Sequence, residues 1–433
     1  MAPVARSCSC RVVNPRVVIV RPFCVTGILR LASPWSIVVP TRPAARIACR
    51  RVTPGRAWDA ARRGSTGRYG CCVSSTPRCP SCRRFVYLDT LVCPDCTTEM
   101  GLEVIERRFV GIRDGRAVVD GVTWYTCSER RWGCNWLVRE DAPAGRCFSC
   151  RLTRTRPPAD DTIALEKLAT TEEAKRRLLL QLGDLGLPIV PWDVWPGGLG
   201  FDLLSSRSEG RRVIIGHANG IITIDLAESL DDVREALRVR LGEPYRTVLG
   251  HLRHESGHYF QNVLIRDDTA WAQCRDLFGD ERASYQDALT RHYETGAPAG
   301  WQDSFISEYA TMHPWEDFAE TFAHYLHIVG TLKTAAAIGM RLDASATRRD
   351  VDVVPEDHYD DQPIGRVLSD WEALSQGFNR INRSMGLADL YPFTISPPVR
   401  RKLAFVHELV TRAPLTTDEQ VALALAPRER ADD

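Results

Sequence analysis

Residues 248–264 read VLGHLRHESGHYFQNVL. Val248, Leu249, Leu252, Phe260, Val263 and Leu264 recur at helical spacing, which predicts an amphipathic helix over the whole segment. Within it lies His254-Glu255-Ser256-Gly257-His258. Side chains four apart on a helix sit one turn above each other, so His254 and His258 present two imidazoles to one metal ion. Glu255 projects from the same side. It is the candidate general base toward a water that zinc acidifies to a pKa of ~7. By chance such a pentapeptide arises with odds on the order of 1 in 100, and here it falls on a predicted helix, where the chemistry needs it.

Two histidines leave a zinc site short of a third protein ligand. Further along, Pro314 suits a first helical turn, and Glu316 and Asp317 follow where the helix dipole favours acids. Trp315, Phe318, Ala319, Phe322, Tyr325, Leu326 and Val329 predict that this helix is largely buried. Glu316 and Glu320 recur one turn apart inside it, and buried carboxylates need a partner. A zinc ion and a ligating imidazole provide one, with Glu316 as third ligand and Glu320 orienting a histidine. The competing reading is a stripe of solvated acids. His251, one turn before His254, reads as a satisfied helix histidine, with a substrate contact as the alternative. His313 reads as a neighbour of the helix cap. His324 and His327 compete for the third-ligand place, but helical spacing from Glu316 turns at least one of them away. Tyr309, on the residues alone, reads as a packed tyrosine.

The cysteines tell a second story. Cys79-Pro-Ser-Cys82 and Cys93-Pro-Asp-Cys96 are two knuckles, each curling the backbone so that two thiolates converge on a tetrahedral zinc. Cys127, Cys134 and Cys147-Phe-Ser-Cys150 make a second set, with a wider gap in its first pair. Four-thiolate sites are closed, so they fold a segment and do not catalyse. Of the remainder, Cys274 reads as a small core residue. Fifteen cysteines without a secretory signal point to metal binding and a reducing compartment, hence the cytoplasm.

The net charge of +1 hides an asymmetry. Residues 1–78 hold fourteen Arg against the single acid Asp59, which leaves the rest of the chain net acidic. Residues 79–150 contain ten Arg and ten acids, so no basic footprint marks a nucleic-acid site there. No apolar run approaches the ~18 residues of a membrane span. Residues 1–75 show no sustained periodicity and read either as a disordered basic tail or as a start-site artefact, with Val73 an alternative start. Short strand-like runs, such as Arg116 to Tyr125, lie among the cysteines, and residues 156–161 read as a linker. Ile163 to Leu182 is helical in spacing, with Lys and Glu on its other face. Val213 to Leu226 is strand-like on both sides of Asn219-Gly220, a hairpin turn. Val367, Trp371, Leu374, Phe378 and Ile381 predict a core-facing helix.

Several of these motifs together resemble a bacterial family of zinc-binding metallopeptidases with an N-terminal zinc ribbon. The resemblance runs from about residue 79 to 412. It rests on both knuckles, Gly133 to Val138, Gly216 to Gly220, Gly242 to Thr247, His251 to Tyr259, His313 to Asp317, Asn382 to Gly386 and Asp389 to Phe393. The helix pair is also similar to the gluzincin arrangement, in which a second-helix glutamate is the third ligand. Glu320 stands where some gluzincins have Asp. In the toxin-like members a tyrosine lies seven residues before that glutamate, which implies that Tyr309 is an oxyanion donor. The expectation is therefore an α+β, mostly helical zincin-type domain over 160–433 with a small β-sheet, preceded by a zinc-ribbon module over 79–155. One catalytic and two structural zinc ions follow, with a peptide or protein substrate and no nucleic acid or membrane partner. Two rivals stay open: a zinc-stapled binding protein without turnover, and a nucleic-acid-associated protease recruited by its ribbons.

Overall fold

The computed structural model describes residues 76–142, 145–227 and 247–412. The basic stretch 1–75 with Val73, and nearly all of the Gly242 to Thr247 motif, lie outside the described residues. Two small sheets serve the cysteine-rich part. Strand β1 (Met100–Glu103) pairs antiparallel with β2 (Arg108–Gly111). Strands β3 (Arg116–Val119), β4 (Val122–Thr126) and β5 (Leu137–Arg139) form an antiparallel meander. The Arg116 to Tyr125 run is thus a hairpin, turned at Asp120-Gly121 with φ of 51° and 81°, the left-handed pair a two-residue turn requires.

A third sheet, ordered β6-β7-β9-β8, begins directly after the last cysteine of the second cluster. Strand β6 (Thr153–Thr155) runs parallel to β7 (Gly200–Leu204), which runs parallel to β9 (Ile221–Asp225). Strand β8 (Gly216–Ala218) returns antiparallel on β9 through Asn219-Gly220, the hairpin anticipated there. A side chain at Gly220 would come within 2.3 Å of the Gly197 carbonyl, so the turn is closed to other residues. Phe201, Leu203, Ile222 and Ile224 form the buried face of this sheet.

Helix α1 (Thr162–Asp184) starts where the Asp161 side chain accepts the Ala164 N–H. Its Lys- and Glu-bearing face is only partly left to solvent, with Glu166 exposed. Glu172, Lys175 and Arg176 are buried there, because the second cysteine cluster packs over them. Lys175 pairs with Glu172 at 2.6 Å, and Arg176 donates to the Gly133 carbonyl at 2.9 Å. Helix α2 (Val248–Leu264) is followed by α3 (Asp268–Phe278), α4 (Tyr285–Thr295) and α5 (Pro314–Ala337). Helices α6 (Ile364–Ser384) and α7 (Pro397–Thr411) complete the bundle. Val367, Trp371 and Leu374 on α6 are buried as the spacing predicts. Ile381 is 54% exposed, because the helix runs on past the core it packs against.

The crossing of α2 and α5 positions the site. Gly257 makes it close: a Cβ there would lie 2.8 Å from the Ala319 Cα. Phe260 of α2 stacks on Phe322 of α5, with ring centroids 5.5 Å apart. The architecture is α+β and mostly helical in the domain that follows the ribbon region. No helix among the described residues is long and apolar enough to cross a membrane.

Candidate metal centre

Among the described residues, three groups of side chains converge closely enough to hold a metal ion: Cys79, Cys82, Cys93 and Cys96; Cys127, Cys134, Cys147 and Cys150; and His254, His258 and Glu316. In the first group the Cys79 and Cys96 sulfurs are 3.5 Å apart, and those of Cys82 and Cys93 are 3.6 Å apart. In the second, the Cys134 sulfur lies 3.5 Å from Cys147 and 3.6 Å from Cys150. These spacings are near the edge of a zinc tetrahedron with Zn–S bonds of about 2.3 Å, so the donor sets fit zinc. Cys274, read as a core residue, is buried beside Gln261.

The third group is assembled by the crossing helices. His313 caps α5, its Nδ1 accepting the Trp315 N–H, and Pro314 fills the first turn, where a missing N–H costs nothing. That start places Glu316 and Glu320 over His254. The Glu316 Oε2 is 2.9 Å from the His254 Nε2 and 3.4 Å from the His258 Nε2. The Glu320 Oε1 meets the His254 Nδ1 at 2.6 Å. His254 therefore faces a carboxylate oxygen with each ring nitrogen. A neutral imidazole has one proton and satisfies only one of them. The other contact is met either by a second proton on the ring or by a metal ion, and the His258 nitrogen converging on the same Glu316 oxygen fits the metal ion.

The two carboxylates also favour a second proton on His254. Burial opposes a charged His254, yet Glu316 and Glu320 hold its pKa well above the ordinary value. Burial opposes the Glu316 charge too, but the two histidines keep it ionised, below the usual carboxylate range. Glu316 is buried, while Glu320 keeps a side chain 15% exposed and accepts a 2.6 Å hydrogen bond from Ser307 through Oε2. The two histidines are supported differently. The His258 Nδ1 has no partner among the described residues, and its ring stacks on Trp315 with centroids 5.2 Å apart.

A cavity of about 100 Å³ opens against His254 of this cluster, while His258 and Glu316 are not in its wall. Glu255, Tyr309, His251, Ser307, His324 and Phe393 contribute to its wall. The His251 Nε2 stands 3.7 Å from the Glu255 Oε1. Glu255 is buried, and its Oε2 has no hydrogen-bond partner among the described residues. The Tyr309 ring centroid is 5.8 Å from that of His254. Burial and the Glu316 charge push the Tyr309 hydroxyl well above its usual range, so it stays a donor. His324 turns away from the cluster to Tyr391, its Nδ1 2.9 Å from the hydroxyl, and His327 stacks on the same tyrosine.

The residues read from sequence as ligands are thus brought together, with Glu255 and Tyr309 at the adjoining cavity. Four neighbours were not anticipated. Tyr285 donates to the Glu316 Oε1 at 2.9 Å. Ser307 holds Glu320. His217 on β8 lies with its ring 6.3 Å from that of His258 and accepts the Gly220 N–H at 3.1 Å through Nε2. Burial first, and then His258, lower its pKa to about 4, so it is neutral near pH 7. Lys402 of α7 pairs with buried Asp317 at 2.6 Å, next to the Glu316 ligand position. Tyr285, Ser307 and Lys402 reach their carboxylates from other elements, and His217 reaches His258 from the sheet, which no local spacing betrays.

A family model described as "Putative zinc-binding metallo-peptidase" matches residues 164–409, and a zinc-ribbon domain model matches residues 77–161. Uncharacterized proteins of Mycobacterium bovis and Mycobacterium tuberculosis are 44% identical over 340 residues, covering 77% of this chain and 94% of theirs. No solved structure matches the chain. The chain belongs to the family so described and carries the zinc-ribbon domain ahead of it.

Proposed function

We propose that the chain hydrolyses peptide bonds at the cavity lined by His254, with His258 and Glu316 as the further ligands and Glu255 as general base. The observation that carries this reading is the Glu255 side chain. It is a buried carboxylate lining the same cavity as His254, with one oxygen that has no hydrogen-bond partner among the described residues. His254, His258 and Glu316 would hold the zinc ion, which when bound supplies positive charge and acidifies a water. The free oxygen of Glu255 takes the proton from the attacking water and returns it to the leaving amine. Tyr309 donates to the oxyanion that develops on the scissile carbonyl. Glu320 fixes the His254 ring, and Ser307 in turn fixes Glu320.

The substrate in this reading is an extended peptide. Strand β8 ends the sheet order, and its His217 lies against His258 and Tyr259. No strand among the described residues pairs with its outer edge, which offers backbone groups to a chain laid alongside, as in β-strand addition.

The test pairs metal content with turnover. Purified chain should contain three zinc ions, one for each donor cluster. Glu316→Gln should lose one of them and all hydrolysis of an unbiased peptide library. Glu255→Gln should keep all three and still fail to hydrolyse. Full activity in Glu255→Gln on a substrate that the wild type cleaves would end this reading.

A further inference from the structure

Glu316 has two oxygens, and only one faces the imidazoles. Oε2 lies between the Nε2 atoms of His254 and His258, whereas Oε1 accepts the Tyr285 hydroxyl at 2.9 Å. We infer that Tyr285 is a positioning residue of the metal centre: by engaging Oε1 it makes Glu316 a one-oxygen ligand and keeps a coordination place open for water and substrate. This rests on the reading above that His254, His258 and Glu316 hold the ion.

The placement of Tyr285 is built, not incidental. It is the first residue of α4, whose N-terminus is capped by the Ser284 hydroxyl accepting from the Asp287 N–H. The backbone just before it is tied to α5 by a single histidine. His313 accepts the Trp315 N–H through Nδ1, so its proton is on Nε2, which donates to the Ala283 carbonyl at 3.1 Å. One ring therefore both starts the helix that carries Glu316 and anchors the segment that carries Tyr285. The Tyr285 ring also packs against His313, with centroids 5.4 Å apart. The hydroxyl is set at a fixed distance from Oε1 by elements on both sides of it.

A carboxylate that binds through both oxygens takes two places around a metal, and a catalytic zinc site with three protein ligands needs its fourth place for water. A hydrogen bond to the second oxygen prevents that, as outer partners of ligating carboxylates do. The neighbouring Tyr309 lines the cavity with Glu255, so the two tyrosines divide the work: Tyr285 holds the ligand, and Tyr309 faces the substrate.

The experiment reads metal, not turnover. The histidine–glutamate centre of the full chain is emptied with a mild chelator that spares the cysteine clusters, then refilled with cobalt(II). Wild type, Tyr285→Phe and Tyr293→Phe are compared, the last an exposed tyrosine on the same helix. Tyr285→Phe should bind the metal ~10–100-fold more weakly in chelator competition. Its visible cobalt absorption should also weaken, as the second Glu316 oxygen raises the coordination number above four. Tyr293→Phe should match wild type in both. Wild-type affinity and spectrum in Tyr285→Phe would overturn the assignment. So would weaker binding with an unchanged spectrum, which would mark mere packing. If wild type cleaves no peptide, the hydrolytic reading fails alone, because these spectra decide the role of Tyr285 without it.

Discussion

In the two cysteine clusters every donor is matched by another donor of the same kind, and the set closes on itself. In the His254 centre three donors converge, but the groups around them are of different kinds and face different ways. Glu320 and Ser307 support one histidine, Trp315 stacks on the other, Tyr285 holds the spare oxygen of Glu316, and Glu255 leaves one oxygen to the cavity. A closed set puts its free energy into folding. An open one puts it into positioning, and needs a scaffold that is already folded. Here the closed set helps to supply that scaffold. Cys150 is followed within three residues by β6, the strand on which β7 and then β9 are laid.

The sharpest way to break this contrast is to remove a donor from the buried cluster. Structural zinc sites contribute apparent free energies of about 10–16 kcal/mol, as large as the ~5–15 kcal/mol by which whole domains are stable. Cys150→Ser should therefore cost the third sheet, and with it the cooperative thermal transition. His254→Ala should empty its own site and leave that transition in place. Hydrogen exchange at β6 and β7 distinguishes the two. If those amides stay protected in Cys150→Ser, the buried cluster is a local staple and the contrast fails.

A second, smaller effect comes from the pair that braces the carboxylate side of the centre. Asp317 is fully buried beside Glu316 and pairs with Lys402, which also donates to the Ser304 carbonyl at 2.8 Å. Removing one partner of such a buried pair costs about 3–5 kcal/mol, so Lys402→Met should lower stability by that order. The cost depends on pH. Burial raises the Asp317 pKa, against the pull of Lys402, to about 7. A carboxyl whose folded pKa lies above its unfolded value loses stability as pH rises between the two. Without Lys402 the folded value climbs further, so the loss continues above pH 7. Denaturant unfolding should therefore show a wider gap between variant and wild type at pH 8 than at pH 6. A constant gap would show that Lys402 acts by packing on Phe305 alone.

What the sequence disclosed follows the same division. The knuckles, the pentapeptide on α2 and the Pro314 start of α5 are local patterns, and each carries its chemistry within one or two turns. The Asn219-Gly220 hairpin was legible because two consecutive left-handed residues leave few alternatives. The buried polar face of α1 was not, because Lys175 and its helix neighbour Glu172 become internal only when Thr153 of β6 comes to meet them. Tyr285 was silent for the same reason, its partner lying 31 residues away on another helix. Spacing finds ligands on one helix. It does not find the groups that hold them from elsewhere.

The smallest effect tests how far the open centre depends on that surrounding support. Glu320 touches His254 and Ser307 but is not among the convergent donors. Glu320→Gln keeps the shape and a hydrogen-bonding oxygen, and removes only the charge that makes the His254 ring a stronger base. Losses from such outer partners are typically ~10–100-fold in metal affinity or activity, and the variant should fall in that range with its fold intact. Glu316→Gln, one turn earlier, removes a donor and should empty the site. The order of these two variants in zinc competition is the decisive reading. If Glu320→Gln empties the centre while Glu316→Gln leaves it filled, the roles of the two glutamates are reversed. If Glu320→Gln changes nothing, the packing of α2 on α5 at Gly257 is enough by itself to orient His254, and the outer carboxylate has no part in holding the metal.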